Sequence, residues 1–110
     1  MNKITTHILD TVKGCPAAGV QVILYRLPGE GVPEELARGY TNGDGRILNW
    51  EEVRDGGVYK LRFETEPYFG KDGGATFYPF VEICFEVRDA GHYHVPLLIS
   101  PFGYSTYRGS

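Results

Sequence analysis

Three histidines, His7, His92 and His94, are the side chains of this sequence whose ordinary titration falls near neutral pH, which makes them the first candidates for proton transfer. His92 and His94 are two positions apart. On a strand that spacing turns both to one face, opposite Tyr93 and Val95. Such a pair suits acid–base chemistry, and with His7 as a third nitrogen donor it could instead hold zinc in a hydrolytic site. No acidic partner that would orient a zinc ligand is visible in the sequence, and the ordinary reading of a single strand histidine is a polar side chain on a solvated face. Arg46 follows Asn42, Gly43, Asp44 and Gly45 and could hold an anion or a carbonyl oxygen, although an arginine after a turn is usually a plain surface charge. The stretch Tyr104, Ser105, Thr106, Tyr107, Arg108, Gly109, Ser110 gathers many hydrogen-bonding groups where chains ordinarily fray into solvent. Neither Ser105 nor Ser110 lies in a Gly-x-Ser-x-Gly elbow, and Cys15, before Pro16, has no activating base nearby in sequence, so it reads as a structural thiol.

Strands must position these groups. In the segment from Phe80 to Arg88, Val81, Ile83, Phe85 and Val87 fall on one face while Glu82, Glu86 and Arg88 fall on the other. From Gly57 to Glu64, Tyr59, Leu61 and Phe63 alternate with Lys60, Arg62 and Glu64, and Val20 to Leu27 is a more continuous apolar run. Further strands are predicted at Ile4 to Leu9, Leu36 to Thr41, Arg46 to Asn49, His92 to Ile99 and Tyr104 to Tyr107, which makes about eight. The Asn42 to Gly45 turn should join two of them as a hairpin. One short helix is predicted from Thr65, as a hydroxyl cap, through Glu66 and Pro67 to about Gly70. The pattern predicts an all-β, two-sheet sandwich of about eight strands with one short helix.

At 110 residues the chain reads as a single domain, 1–110, small enough to gain from association. A net charge of −3 argues against a binder of nucleic-acid phosphates. The polar start, from Met1 to Asp10, lacks a secretory apolar core and no run approaches a membrane span, so the expected setting is cytoplasmic with no membrane partner. The two cysteines, Cys15 and Cys84, lack metal-site or disulfide-framework spacing and are expected to be reduced.

Three stretches resemble the transthyretin-like proteins. They are Thr5 to Asp10 with Gly14 to Ala17, Thr41 to Arg46, and the run Tyr93 to Ser110, and together they span essentially the whole chain. That family has a hormone-carrier branch and a branch that hydrolyses 5-hydroxyisourate in urate degradation. The resemblance is to the hydrolase branch, which is marked by a histidine in the first strand, an arginine after the central turn, a histidine in a Tyr-His-Val-Pro run and a terminal Tyr-Arg-Gly-Ser. Here these are His7, Arg46, His94 and Tyr107, Arg108, Gly109, Ser110. The resemblance implies His7, Arg46 and His94 as catalytic residues, and Tyr107, Arg108, Gly109 and Ser110 as substrate-binding residues. His92 stands outside the set. It also implies no metal and no cofactor, 5-hydroxyisourate as the small-molecule partner, and a homotetramer built as a dimer of dimers, with the tail of one subunit closing a pocket lined by another. A non-catalytic carrier of the same fold is the alternative.

Overall fold

The computed structural model describes residues 2–47, 50, 52, 53 and 56–110. Strand β7 (Gly91–Ser100) sets the plan. Tyr93, Val95, Leu97 and Ile99 are buried, while His92 and His94 face the other way, the first exposed and the second half-buried. Strand β1 (Asn2–Asp10) lies parallel to it, with Thr5 opposite His94 and His7 opposite Pro96. It also sends every second residue inward, from Asn2 and Ile4 through Thr6 and Ile8 to Asp10.

That inward row mixes apolar and polar residues, and the polar ones are satisfied on the spot. Thr6 Oγ1 donates to the Val95 carbonyl at 2.7 Å, and Asn2 Oδ1 accepts from the Gly91 N–H at 3.0 Å. Asp10 accepts from the Tyr68 hydroxyl at 2.7 Å and from the N–H groups of Val12 and Lys13 at 3.0 Å. Burial alone would push the Asp10 pKa up. The donors from Lys13, Tyr68 and Val12 outweigh it and hold the carboxyl below its ordinary value.

Short β2 (Cys15–Pro16) pairs with the end of β1, and β8 (Gly103–Thr106) pairs with β7, so the first sheet runs β2-β1-β7-β8. The second runs β4-β3-β5-β6, from β3 (Gln21–Leu27), β4 (Glu34–Tyr40), β5 (Gly57–Glu64) and β6 (Val81–Val87), with every pairing antiparallel. One hydrophobic cluster joins the sheets, with Ile8, Leu97 and Ile99 meeting Val22, Leu24, Leu61 and Phe63. The expected all-β sandwich is therefore present, with eight strands and one short helix among the described residues.

Three local expectations are corrected. Helix α1 (Thr65–Gly70) starts where predicted, but Thr65 is its first residue and makes no cap; Glu64 precedes it, and the buried Thr65 hydroxyl donates to the Tyr78 carbonyl at 3.3 Å instead. The predicted strand Arg46 to Asn49 reduces, among the described residues, to a single bridge between Arg46 and His7, and Leu48 and Asn49 lie outside those residues. The Asn42 to Gly45 turn is real, closed by the Gly45 N–H on the Asn42 carbonyl at 2.9 Å, yet it is no hairpin within one sheet. It carries the chain from β4 in the second sheet to β1 in the first. Gly45 makes that crossing possible. With φ at +72° it tolerates a backbone that other residues resist, and a Cβ there would stand 2.5 Å from the Ile8 carbonyl oxygen.

Candidate active site

The outward face of β1 and β7 carries the chemistry. His7, Arg46, His94, Tyr107, Gly109 and Ser110 line a single cleft of about 400 Å³, together with Thr5 and His92. Arg46 arrives there because the turn is wired onto β1: the Ile8 N–H donates to the Gly45 carbonyl at 2.9 Å, and Arg46 bridges His7. Asn42 holds the turn from within, its Oδ1 accepting from the N–H groups of Asp44 and Arg46 at 2.9 and 3.1 Å.

The chain end reaches the cleft by continuing β8. Leu97 pairs with Thr106, and the same antiparallel register places Gly109 opposite His94, where the Gly109 N–H donates to the His94 carbonyl at 2.8 Å. Between them stands Pro96, which has no N–H to give, and the ladder is interrupted there. Alternation along this extension turns Tyr107 and Gly109 toward the histidines. Gly109 must be small: a Cβ would lie 2.4 Å from His94 Cδ2 and 3.1 Å from Pro96 Cγ. The tail thus packs on its own chain's His94.

Electrostatics favour neutral imidazoles. Burial first and the Arg46 guanidinium second hold the His7 pKa below the ordinary histidine value, with Asp44 opposing them in part. His94 is held down in the same direction by burial, then by Arg46, His92 and His7. At neutral pH both rings therefore carry a free nitrogen that can accept a proton.

A cleft of this kind on a transthyretin-like sandwich narrows the field, and the sequence relatives decide it. The model of the HIUase/Transthyretin family matches residues 4–109. The chain belongs to the HIUase/Transthyretin family. A 5-hydroxyisourate hydrolase from Halalkalibacterium halodurans is 48% identical to it over 116 residues, covering 98% of each chain. Among solved structures, a 5-hydroxyisourate hydrolase of Klebsiella pneumoniae superposes with a TM-score of 0.86 at 40% identity, covering 100% of this chain and 94% of its own. Transthyretin from Sparus aurata superposes with a TM-score of 0.90 at 33% identity, covering 96% of this chain and 95% of its own. Hydrolase and transthyretin share the HIUase/Transthyretin fold, so the backbone does not choose between them. The side chains in the cleft must.

Not every candidate joins the cleft of this HIUase/Transthyretin family member. Arg108, one position out of phase with Tyr107 and Gly109, turns the other way and lays its guanidinium over the Tyr93 ring, 4.7 Å from the centroid. There it lines an adjoining hollow of about 360 Å³ with Phe85 and Cys84, which shares His94 and Tyr107 with the cleft. Cys15 and Cys84 are both free and exposed. Among the described residues no group of three His, Cys, Asp or Glu side chains is arranged to hold a metal ion. Thr5 is the residue that sequence reading missed. Its hydroxyl lies 2.6 Å from His92 Nε2 and 2.8 Å from His94 Nδ1.

Proposed function

We propose that this chain hydrolyses 5-hydroxyisourate, opening its six-membered ring at the N1–C6 bond to give 2-oxo-4-hydroxy-4-carboxy-5-ureidoimidazoline in urate degradation. The observation that carries this reading is the meeting of His7, Arg46 and His94 in one cleft, with both imidazoles biased toward the neutral form. A relative bearing the hydrolase name at 48% identity supports it.

The chemistry follows from what such a ring needs. Water adds to C6 while a neutral imidazole takes its proton. The C6 oxygen gains charge, and the planar Arg46 fork stabilises it. The C6–N1 bond then breaks, and N1 receives the proton from the imidazolium, so that one water is consumed and no cofactor is required. Tyr107 and Ser110 orient the substrate through their hydroxyls, and Gly109 leaves the His94 ring its room. Arg108 serves the placement of the tail through Tyr93.

The proposal extends to the whole chain as one domain, working in the cytoplasm as a homotetramer. Exposed aromatic side chains at Phe102 and Tyr104, beside and on the edge strand β8, support such association. Among the described residues no helix is long and apolar enough to cross a membrane. The deciding assay generates 5-hydroxyisourate from urate with urate oxidase and follows its ultraviolet decay. Acceleration over the spontaneous decay is expected. Binding without acceleration would make the chain a carrier.

A further inference from the structure

We propose that Thr5 is a positioning residue whose hydroxyl, anchored on His92, decides which nitrogen of His94 faces the substrate. The inference rests on the hydrolase reading for its catalytic consequence, but its geometric part stands alone. Thr5 sits opposite His94 in the parallel β1–β7 register, and Lys3 sits opposite His92, so the Thr5 side chain rises between the two outward imidazoles. Its oxygen is within hydrogen-bond distance of both, at 2.6 Å from His92 Nε2 and 2.8 Å from His94 Nδ1.

A hydroxyl has one proton to donate and lone pairs to accept with, so it cannot donate to both rings. If Thr5 donates to His94 Nδ1, that ring carries its proton on Nε2 and offers no base. If Thr5 donates to His92 Nε2 and accepts from His94 Nδ1–H, His94 Nε2 is bare. Only the second arrangement also survives the reaction. When His94 takes a proton on Nε2 it becomes an imidazolium whose Nδ1–H still points at the same acceptor. The opposite edge of the ring is held as well, since Gly109 passes close over Cδ2 and Cγ. With Nδ1 on Thr5 and Cδ2 against Gly109, the remaining edge, which carries Nε2, is left for the cleft that His94 lines.

The test compares Thr5→Val, which keeps shape and strand preference, with Thr5→Ser, which restores the hydroxyl. Nitrogen NMR on histidine-labelled protein reads the His94 tautomer directly. The wild type is expected to show Nδ1–H; Thr5→Val should release it toward Nε2–H, and Thr5→Ser should restore it. In turnover, Thr5→Val should lose about 10- to 100-fold in kcat with KM little changed, as when an imidazole loses the group that orients it, and Thr5→Ser should recover most of the loss. His92→Phe removes the acceptor and should shift the tautomer the same way, and an unchanged tautomer there would strip His92 of its part. A Thr5→Val protein with the wild-type tautomer, or with wild-type kcat, overturns the proposal. A wild-type chain whose Nδ1–H tautomer depends on Thr5 but which does not accelerate 5-hydroxyisourate decay would uphold the positioning and overturn the hydrolase reading instead.

Discussion

The inner and outer faces of β1 and β7 are made from the same two stretches of backbone and differ only by alternation. Inward, Ile8 and Leu97 are fully buried at 0% exposure; outward, one residue away, His7 is half-buried beside Pro96 in a cleft with Arg46. The inner face obtains rigidity from packing, and the outer face inherits it without contributing much apolar burial of its own. Stability and chemistry are thus assigned to neighbouring residues and should be separable by substitution.

The largest separation is expected from the outer face. His7→Asn and His94→Asn should each lower turnover about 100- to 10,000-fold by removing a proton acceptor, with the thermal midpoint nearly unchanged. Wild-type turnover in either variant would remove that histidine from the mechanism. Gly109→Ala comes next, because its Cβ would press within 2.4 Å of His94 Cδ2; displacing the ring should cost about 100-fold in kcat, read in the same ultraviolet assay. Full activity there would mean that the tail does not hold the ring.

The mirror experiment is on the inner face. Leu97→Ala should lose about 2 to 5 kcal/mol of unfolding free energy in denaturant titration while turnover per folded molecule stays close to wild type. A specific loss of turnover in the folded protein would show the two faces to be coupled. The smallest effect is in pH. His7 and His94 have folded-state pKa values below the ordinary histidine value of 6.5, so the acid limb of kcat/KM, which reports the free protein, should lie below pH 6.5. The folded state also binds protons less readily than the unfolded one, so their contribution to stability is present above about 6.5 and fades as pH falls through the lowered values. An acid limb above 6.5 would contradict neutral imidazoles.

What the sequence disclosed depends on how local each feature is. The alternations of β5, β6 and β7 are visible because burial on one face writes period two into consecutive residues. Cys15–Pro16 pairs as β2 with too few residues to carry a pattern. The turn chemistry of Asn42 to Gly45 is local and was readable, but its passage between sheets depends on Gly45 meeting Ile8, a contact with no local trace. At the site, His7, Arg46, His94 and the tail were nameable by resemblance. The divergence of Arg108 was implicit in alternation, since Tyr107 and Gly109 share a phase that Arg108 does not. Thr5 escaped because its role exists only across a parallel register between residues 89 apart.

That separation has a kinetic consequence. Joining Thr5 to His94 closes a loop of most of the chain, and such closures are entropically late and typical of slow-folding sandwiches. Hairpins such as β3–β4 and β7–β8 can form from neighbouring segments well before it. A chain held at that stage would have much of its sheet ladder and none of its cleft. The return of turnover during refolding therefore times the meeting of the first strand with the seventh, an event that a signal from total strand content would record only as the tail of an earlier rise.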